Sequence, residues 1–322
     1  MSMATQTSTS ARQRRGLRRW AHSAKRSVTT FLGEDRFLSA STAIWIWRNN
    51  RRRKPLLMIH TMGKVGSTTI AASLRACGVR KATAMYQPHF VSPEGMAFAE
   101  RLSIEGVGSW EKLARKERRG LLRNRLLNRE LAKKRAAGER VKVITMVRDP
   151  VATNLSGLFH NHVWWPVELK AQCAETSPAC LEALQSYFLD HYPHDVPETW
   201  FDMEVRSLYG IDVYAHPFDA ERGYAIYRNE FADVLVLKLE KLNDCAPAAF
   251  RDFLGVPDFQ LVESNTAEDK SYADLYKTFR RELALPADYV EQLYGSRYAR
   301  HFYSEAELDA FRRKWETAHK PA

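Results

Sequence analysis

Nine consecutive residues, His60-Thr61-Met62-Gly63-Lys64-Val65-Gly66-Ser67-Thr68, carry the clearest chemical signal in the chain. Two glycines allow a tight turn that presents backbone N–H groups, and a helix opening at Ser67 adds the positive end of its dipole. One lysine and two hydroxyls converge on the same place, so the segment is suited to holding a phosphate-like anion. It is not a Walker loop. That pattern, G-x-x-x-x-G-K-[ST], sets the lysine after the last glycine, whereas Lys64 lies inside the turn, ahead of Gly66-Ser67-Thr68. No Walker B partner for magnesium is evident either. The plain alternative is an ordinary strand-to-helix turn with an incidental lysine.

A second signal is Val147-Arg148-Asp149-Pro150, with Ser156 eight residues after the arginine. Arg148 ends an apolar run, at the carboxyl edge where open α/β sheets bind ligands. Arginine grips a phosphate bidentately, and a serine hydroxyl adds one more hydrogen bond. Ser156 falls about six residues into the following helix, roughly 9 Å along its axis at 1.5 Å per residue. Taken alone, an Arg-Asp-Pro at a strand end and a mid-helix serine would be unremarkable.

The elements that must position these groups follow from patterning. Leu56-Leu57-Met58-Ile59 reads as a buried parallel strand, followed by the glycine turn and a helix over Ser67–Cys77 that Gly78 ends. A second strand is expected over Val79–Tyr86, then helices around 93–105 and 110–137. Val141–Val147 is another buried strand, with Asp149 and Pro150 as N-cap and first residue of the next helix. Residues 164–222 read as an insertion with two helical patches, Val234–Leu239 as a third clear strand, and the remainder as mostly helical. Alternating strands and helices predict an α/β fold around a central parallel sheet, with a helical C-terminal part. Residues 1–54 read as a flexible basic arm and 55–322 as one folded domain.

Together the two motifs resemble the sulfotransferases that use 3′-phosphoadenosine 5′-phosphosulfate (PAPS). Those enzymes carry a lysine-containing Gly-Ser/Thr loop after the first strand and an Arg and a Ser eight apart after a later one. The chain is most similar to bacterial proteins labelled as capsular polysaccharide synthesis proteins, a group itself read as sulfotransferases, over most of residues 56–315. The stretches that carry the likeness include Val213–Asp219 with Gly223-Tyr224, Leu237–Glu240, Asn265 with Lys270 and Tyr272, and His301–Ser304. Where that group has Asn-Lys-Trp-Tyr-Ser, this chain has Asp269-Lys270-Ser271-Tyr272-Ala273 and keeps the lysine and tyrosine in register. The resemblance implies a three-layer, P-loop-like sulfotransferase fold. It implies a donor site in which Gly63, Lys64, Val65, Gly66, Ser67 and Thr68 hold the 5′-phosphosulfate, Arg148 and Ser156 the 3′-phosphate, and Lys270 lies near the phosphates. PAPS would be the co-substrate and PAP the product, with no metal required, and the acceptor would be a hydroxyl of a carbohydrate or glycolipid.

Transfer of a sulfuryl group to a hydroxyl needs charge stabilisation at the leaving oxygen and a base at the acceptor. Lys64 suits the first task, being a compact, mobile cation. His89, in Tyr86-Gln87-Pro88-His89-Phe90, is the preferred base because it follows the second strand on the same sheet edge and titrates near neutrality. Glu240 comes next, and His160 and His162 also follow Ser156. The aromatics of 195–228 (Trp200, Phe201, Tyr209, Tyr214, Phe218, Tyr224, Tyr227) either line an acceptor site or form a satellite core.

Bulk composition excludes several classes. The formal net charge is +11, but residues 1–54 hold 13 Lys and Arg against two acids, and the rest of the chain balances at 36 of each sign. Nucleic acid is therefore not the expected partner despite a pI near 9.5. Residues 110–142 form a second basic block that is either a solvated face or a cationic wall steering an anionic ligand. The arm is either a solvated tail or an element that seeks anionic membrane, with Trp20, Phe31, Trp45 and Trp47 as interfacial anchors. Its Ser, Thr and Arg content also fits a transit peptide, while no secretory h-region is present. No apolar run approaches the roughly 18 residues of a spanning helix. Four cysteines (Cys77, Cys173, Cys180, Cys245) show no metal or disulfide spacing, which suits a cytoplasmic protein, peripheral at the inner membrane face if the arm binds lipid. Rival functions are a nucleotide-dependent kinase and a non-catalytic anion- or polysaccharide-binding protein.

Overall fold

Continuous apolar runs make buried strands, and five of them form the sheet of this computed structural model, which describes residues 33–50, 54–162, 165–262 and 272–316. They are β1 (Leu56–Ile59), β2 (Ala84–Tyr86), β3 (Val141–Val147), β4 (Tyr224–Arg228) and β5 (Ala232–Lys238), in the spatial order β2-β1-β3-β5-β4. The first three and β5 run parallel, with Leu57 opposite Lys142 and Val143 opposite Val234. Successive residues of a strand point to opposite faces. All four residues of β1 and nearly all of β3 and β5 are buried, so both faces of the sheet are covered.

The helices are α1 (Glu34–Asn50), α2 (Ser67–Ala76), α3 (Pro93–Val107), α4 (Arg115–Ala136), α5 (Pro150–His160), α6 (Pro178–His191), α7 (Leu242–Leu254), α8 (Ala273–Glu282), α9 (Ala287–Tyr294), α10 (Arg297–Phe302) and α11 (Glu305–Glu316), with shorter helical turns between them. Asp149 caps α5 as its sequence predicts, its Oδ1 accepting from the N–H of Val151 and Ala152 at 3.0 and 3.3 Å.

Four expectations are corrected. The strand expected over Val79–Tyr86 is a helical turn (Val79–Ala82) and then a three-residue strand. Gly78 restarts the chain at φ 76°, and its carbonyl accepts from Lys81 N. The sheet is not wholly parallel, because β4 pairs antiparallel with β5 in a hairpin. Asn229 Oδ1 accepts from Phe231 N and Ala232 N there, an Asx turn that reverses the chain. Cys173 and Cys180 form a disulfide across the turn between the Val167–Gln172 helix and α6. Their seven-residue separation shows no recognised motif, but the two helices bring the Cα atoms to 4.8 Å. Finally, residues 34–50 of the supposed arm are helical and docked. Leu38, Thr42 and Ile46, spaced by four, bury one face. Glu34 and Asp35 pair with Arg118 of α4 at 2.6 and 3.1 Å, and Asn50 accepts from the Tyr86 hydroxyl. The basic segment 1–32 lies outside the described residues.

Candidate functional site

The sheet order places the site. From β1 the chain crosses through α2 to β2 on one side, whereas from β3 it crosses to β5 on the other. β1 and β3 are neighbours, so their carboxyl ends release loops in opposite directions and leave a crevice between them. The Gly63–Gly66 turn leaves β1 at this point, and Arg148 leaves β3.

Three residues of the turn adopt left-handed backbone, Gly63 at φ 94°, Lys64 at 57° and Gly66 at 92°. A Cβ at Gly66 would meet Leu239 Cδ1 at 2.8 Å and Met146 Cε at 3.3 Å, so that position needs glycine for space as well as for dihedral angle. Lys64, the one non-glycine residue with positive φ among those described, is tied down by its carbonyl, which accepts from Arg148 Nη1 at 2.8 Å. Arg148 is itself held from behind. Its N–H donates to the Tyr298 hydroxyl, which donates in turn to the Arg148 carbonyl, both at 2.9 Å. The two motifs are thus one joined structure.

The N-terminus of α2 has no side-chain cap, so its first N–H groups open toward the crevice as an anion would require. Gln87, just past β2, donates to Ser67 Oγ at 3.0 Å. Lys64, Gly66, Ser67, Thr68, Arg148 and Ser156 all line one cavity of about 320 Å³. Gln87, Phe159, Leu239, Tyr272 and Tyr276 complete its walls; sequence reading had not placed them there. Val65 is turned into the core, Gly63 faces an adjoining cavity, and Lys270 and Asn265 lie outside the described residues.

That second cavity, of about 310 Å³, meets the first at Lys64, His89 and His160. His89 Nδ1 lies 2.7 Å from the Thr61 carbonyl oxygen. A carbonyl has no proton to give, so Nδ1 carries the hydrogen and the neutral ring keeps the Nε2 lone pair for another group. Burial pushes the His89 pKa below its ordinary value, aided by the nearby His60, Arg123 and Lys64 and opposed by the Thr61 bond. The accessible surface of His89 opens into the two cavities, and solvent there tempers the shift.

A residue that sequence reading missed fixes the His89 segment. Glu204, fully buried, accepts from Val91 N at 2.8 Å, Ser92 N at 3.0 Å and Ser92 Oγ at 2.8 Å. His60 Nε2 sits 3.1 Å from the same carboxylate, off the hydrogen-bond axis, and His60 Nδ1 meets the Tyr209 hydroxyl at 2.9 Å. Trp200 Nε1 donates to the His89 carbonyl at 2.9 Å. Trp200 and Tyr209 are wholly buried, as is Phe201, and Phe218, Tyr224 and Tyr227 nearly so. These aromatics form core under the insertion and line neither of the two cavities. From the insertion, Tyr192, Pro193 and Val196 reach the second one.

Glu240 is engaged elsewhere. Its Oε1 accepts from Asp149 N at 2.8 Å and its Oε2 from the Tyr303 hydroxyl at 3.1 Å, and it lines neither cavity. His162 turns Nδ1 to the Phe159 carbonyl. Among the described residues no group of three His, Cys, Asp or Glu could hold a metal ion, and no helix is long and apolar enough to cross a membrane.

A family model described as "NKWYS: Putative capsular polysaccharide synthesis protein" matches residues 181–304. The match runs from α6 to Ser304 and so takes in Glu204, β4, β5 and Glu240. It stops short of Lys64, His89, Arg148 and Ser156. No curated protein and no solved structure matches the chain.

Proposed function

We propose that the protein is a sulfotransferase that moves a sulfuryl group from PAPS to a hydroxyl of a carbohydrate or glycolipid. One observation carries the reading: Lys64, the uncapped start of α2, Arg148 and Ser156 share a cavity that opens at Lys64 and His89 into a second one. A donor with two separated anionic groups fits the first cavity. Its 5′ end would meet Lys64 and the α2 N-terminus, and its 3′-phosphate Arg148 and Ser156. The paired aromatics Phe159, Tyr272 and Tyr276 would face the base, with ring centroids 5.2 to 5.9 Å apart. The donor supplies an activated sulfuryl group whose bond to the phosphate oxygen breaks as a bond to the acceptor oxygen forms. Lys64 offsets charge on the departing phosphate, and His89 Nε2 takes the acceptor's proton.

The family match supports a polysaccharide-related acceptor. A peripheral place at the inner, cytoplasmic face of an anionic membrane belongs to the same proposal. Ile44, Trp45 and Trp47 stand exposed on α1, which follows a basic segment in the sequence, and exposed apolar groups with nearby basic sequence suit a lipid interface. Calorimetry with PAP tests the donor assignment. Wild type should bind, and Arg148→Ala should lose about tenfold to a hundredfold, as expected for a charge-assisted contact worth about 1.5–3 kcal/mol. No binding by wild type, or undiminished binding by Arg148→Ala, would overturn it.

A further inference from the structure

Buried polar atoms without a partner lie in the wall of the second cavity. Arg123 Nε, Asn124 Oδ1 and Thr153 Oγ1 have no hydrogen-bond partner among the described residues, and all three residues line this cavity. Asn124 and Thr153 are 8% and 6% exposed. A buried donor or acceptor left unmade costs about 1–3 kcal/mol, and each such group in a folded protein calls for an explanation. Their chemistry is that of a ligand site: a guanidinium that seeks an anion, and an amide and a hydroxyl that exchange hydrogen bonds with hydroxyl groups.

Cationic side chains outnumber acidic ones in the wall of this cavity. Lys64 and Arg123 line it together with His89 and His160. Glu117 is the one acid among its lining residues, and Glu117 Oε2 already accepts the Ala114 N–H at 3.0 Å, closing the first turn of α4. No carboxylate among the described residues pairs with Arg123, and burial alone lowers its pKa. A partly buried cation that no carboxylate pairs with would gain from an anion brought by a ligand. The apolar remainder of the wall, Phe90, Phe98, Leu102 and Val196, suits the flat C–H face of a sugar ring.

We infer that the second cavity selects an acidic sugar, one whose carboxylate or sulfate ester is held by Arg123 while Asn124 and Thr153 bind its hydroxyls. The inference deepens the sulfotransferase reading and rests on it for the word acceptor. The binding preference itself does not depend on PAPS. In this arrangement the anionic group sits at Arg123 and a different hydroxyl of the sugar reaches His89, so Arg123 positions the acceptor without touching the transferred group.

Three probes of one shape test this: p-nitrophenyl β-D-glucuronide, p-nitrophenyl β-D-glucoside 6-sulfate and the neutral p-nitrophenyl β-D-glucoside. Each is titrated into the full-length protein with and without saturating PAP. At least one acidic probe should bind about tenfold or more tightly than the neutral one, the worth of one charge-assisted pair. Arg123→Gln should erase that preference and leave PAP affinity unchanged, and the preferred acid identifies carboxylate or sulfate as the group recognised. Asn124→Asp, which sets a carboxylate beside Arg123, should erase it too and keeps the test available should Arg123→Gln fold poorly. Equal binding of all three probes, no binding of any, or a preference that survives in either variant would refute the inference. If wild type binds no PAP yet keeps the acid preference, the donor assignment falls and the acidic-sugar site stands. PAP binding without acid preference has the opposite meaning.

Discussion

Removing the Glu204 carboxylate should destabilise the protein by several kcal/mol, and the expected size can be worked from its partners. Glu204→Ala strips the acceptor from two backbone N–H groups, Val91 and Ser92, and from the Ser92 hydroxyl, and removes the carboxylate that His60 Nε2 packs against. Each stranded buried group costs about 1–3 kcal/mol if nothing relaxes. With three donors stranded together, a loss of about 3–5 kcal/mol is expected. Because domains are stable by about 5–15 kcal/mol, the variant should still fold, with a clearly lower urea midpoint at unchanged slope. Glu204→Gln separates charge from shape, since its amide oxygen can still accept from the two N–H groups, and it should lose less than half as much. The site would feel the change through His89, two residues before Val91: turnover should fall more than PAP affinity, which depends on the other motif. Reasoning of this kind fails if Glu204→Ala unfolds within about 1 kcal/mol of wild type, or if Gln proves as damaging as Ala. The same carboxylate explains Gly95, where a Cβ would stand 1.8 Å from Glu204 Oε1.

Other expectations follow from the same geometry. For the proposed role of His89 as a neutral base with its pKa lowered from 6.5, kcat/KM should hold as pH falls through 6.5 and drop only below it, and His89→Gln should abolish that limb along with turnover. The sign for stability is the reverse of a salt-bridged histidine: below 6.5 the unfolded chain binds a proton that folded His89 resists, so acidification should weaken the fold, read as a falling urea midpoint. Gly66→Ala should weaken PAP binding by about tenfold, because a left-handed residue costs about 1–2 kcal/mol and its Cβ would press on Leu239; calorimetry at equal folded fraction would show it. Deleting residues 1–32 should reduce sedimentation with anionic vesicles, and deleting 1–54 should lower Tm by several degrees by removing Leu38, Thr42 and Ile46 from the core.

What could be read from sequence was what local rules govern. The turn at Gly63–Gly66, the Asp149-Pro150 cap and the apolar runs of β1, β3 and β5 depend on residues within one or two turns of each other, and these were legible. Glu204 was not, because its partners at 91 and 92 lie more than a hundred residues away. Arg123 was hidden for a different reason. It is one of many cations in a basic helix whose other faces are solvated, and only packing shows that it turns inward beside Asn124. The docking of α1 was written in the spacing Leu38, Thr42, Ile46, but the surrounding positive charge argued for a tail, and burial of one narrow stripe was enough to override it. The β4 hairpin lay inside a segment whose aromatics fitted an acceptor site and a satellite core equally well in sequence, and their burial decides for core.

The charge of the protein acquires a different meaning once its cations are sorted by partner. Arg118 is spent on docking α1 through Glu34 and Asp35, Arg140 on Asp233, and Lys238, fully buried, on Glu307. Arg148 spends one nitrogen, Nη1, on the Lys64 carbonyl. A cation already holding the backbone of the anion loop is placed before any ligand arrives, so binding need not order it, and the ordering entropy that usually opposes association is reduced. The strained φ of Lys64 belongs to the same device, because a residue in that region persists only where its surroundings over-determine it. The topological switch brings the β1 and β3 loops side by side, the Arg148–Lys64 bond locks them together, and the proposed anion site is the surface they share. On this view the two motifs form one functional unit, and the eight-residue spacing of Arg148 and Ser156 has chemical meaning only because β3 lies next to β1.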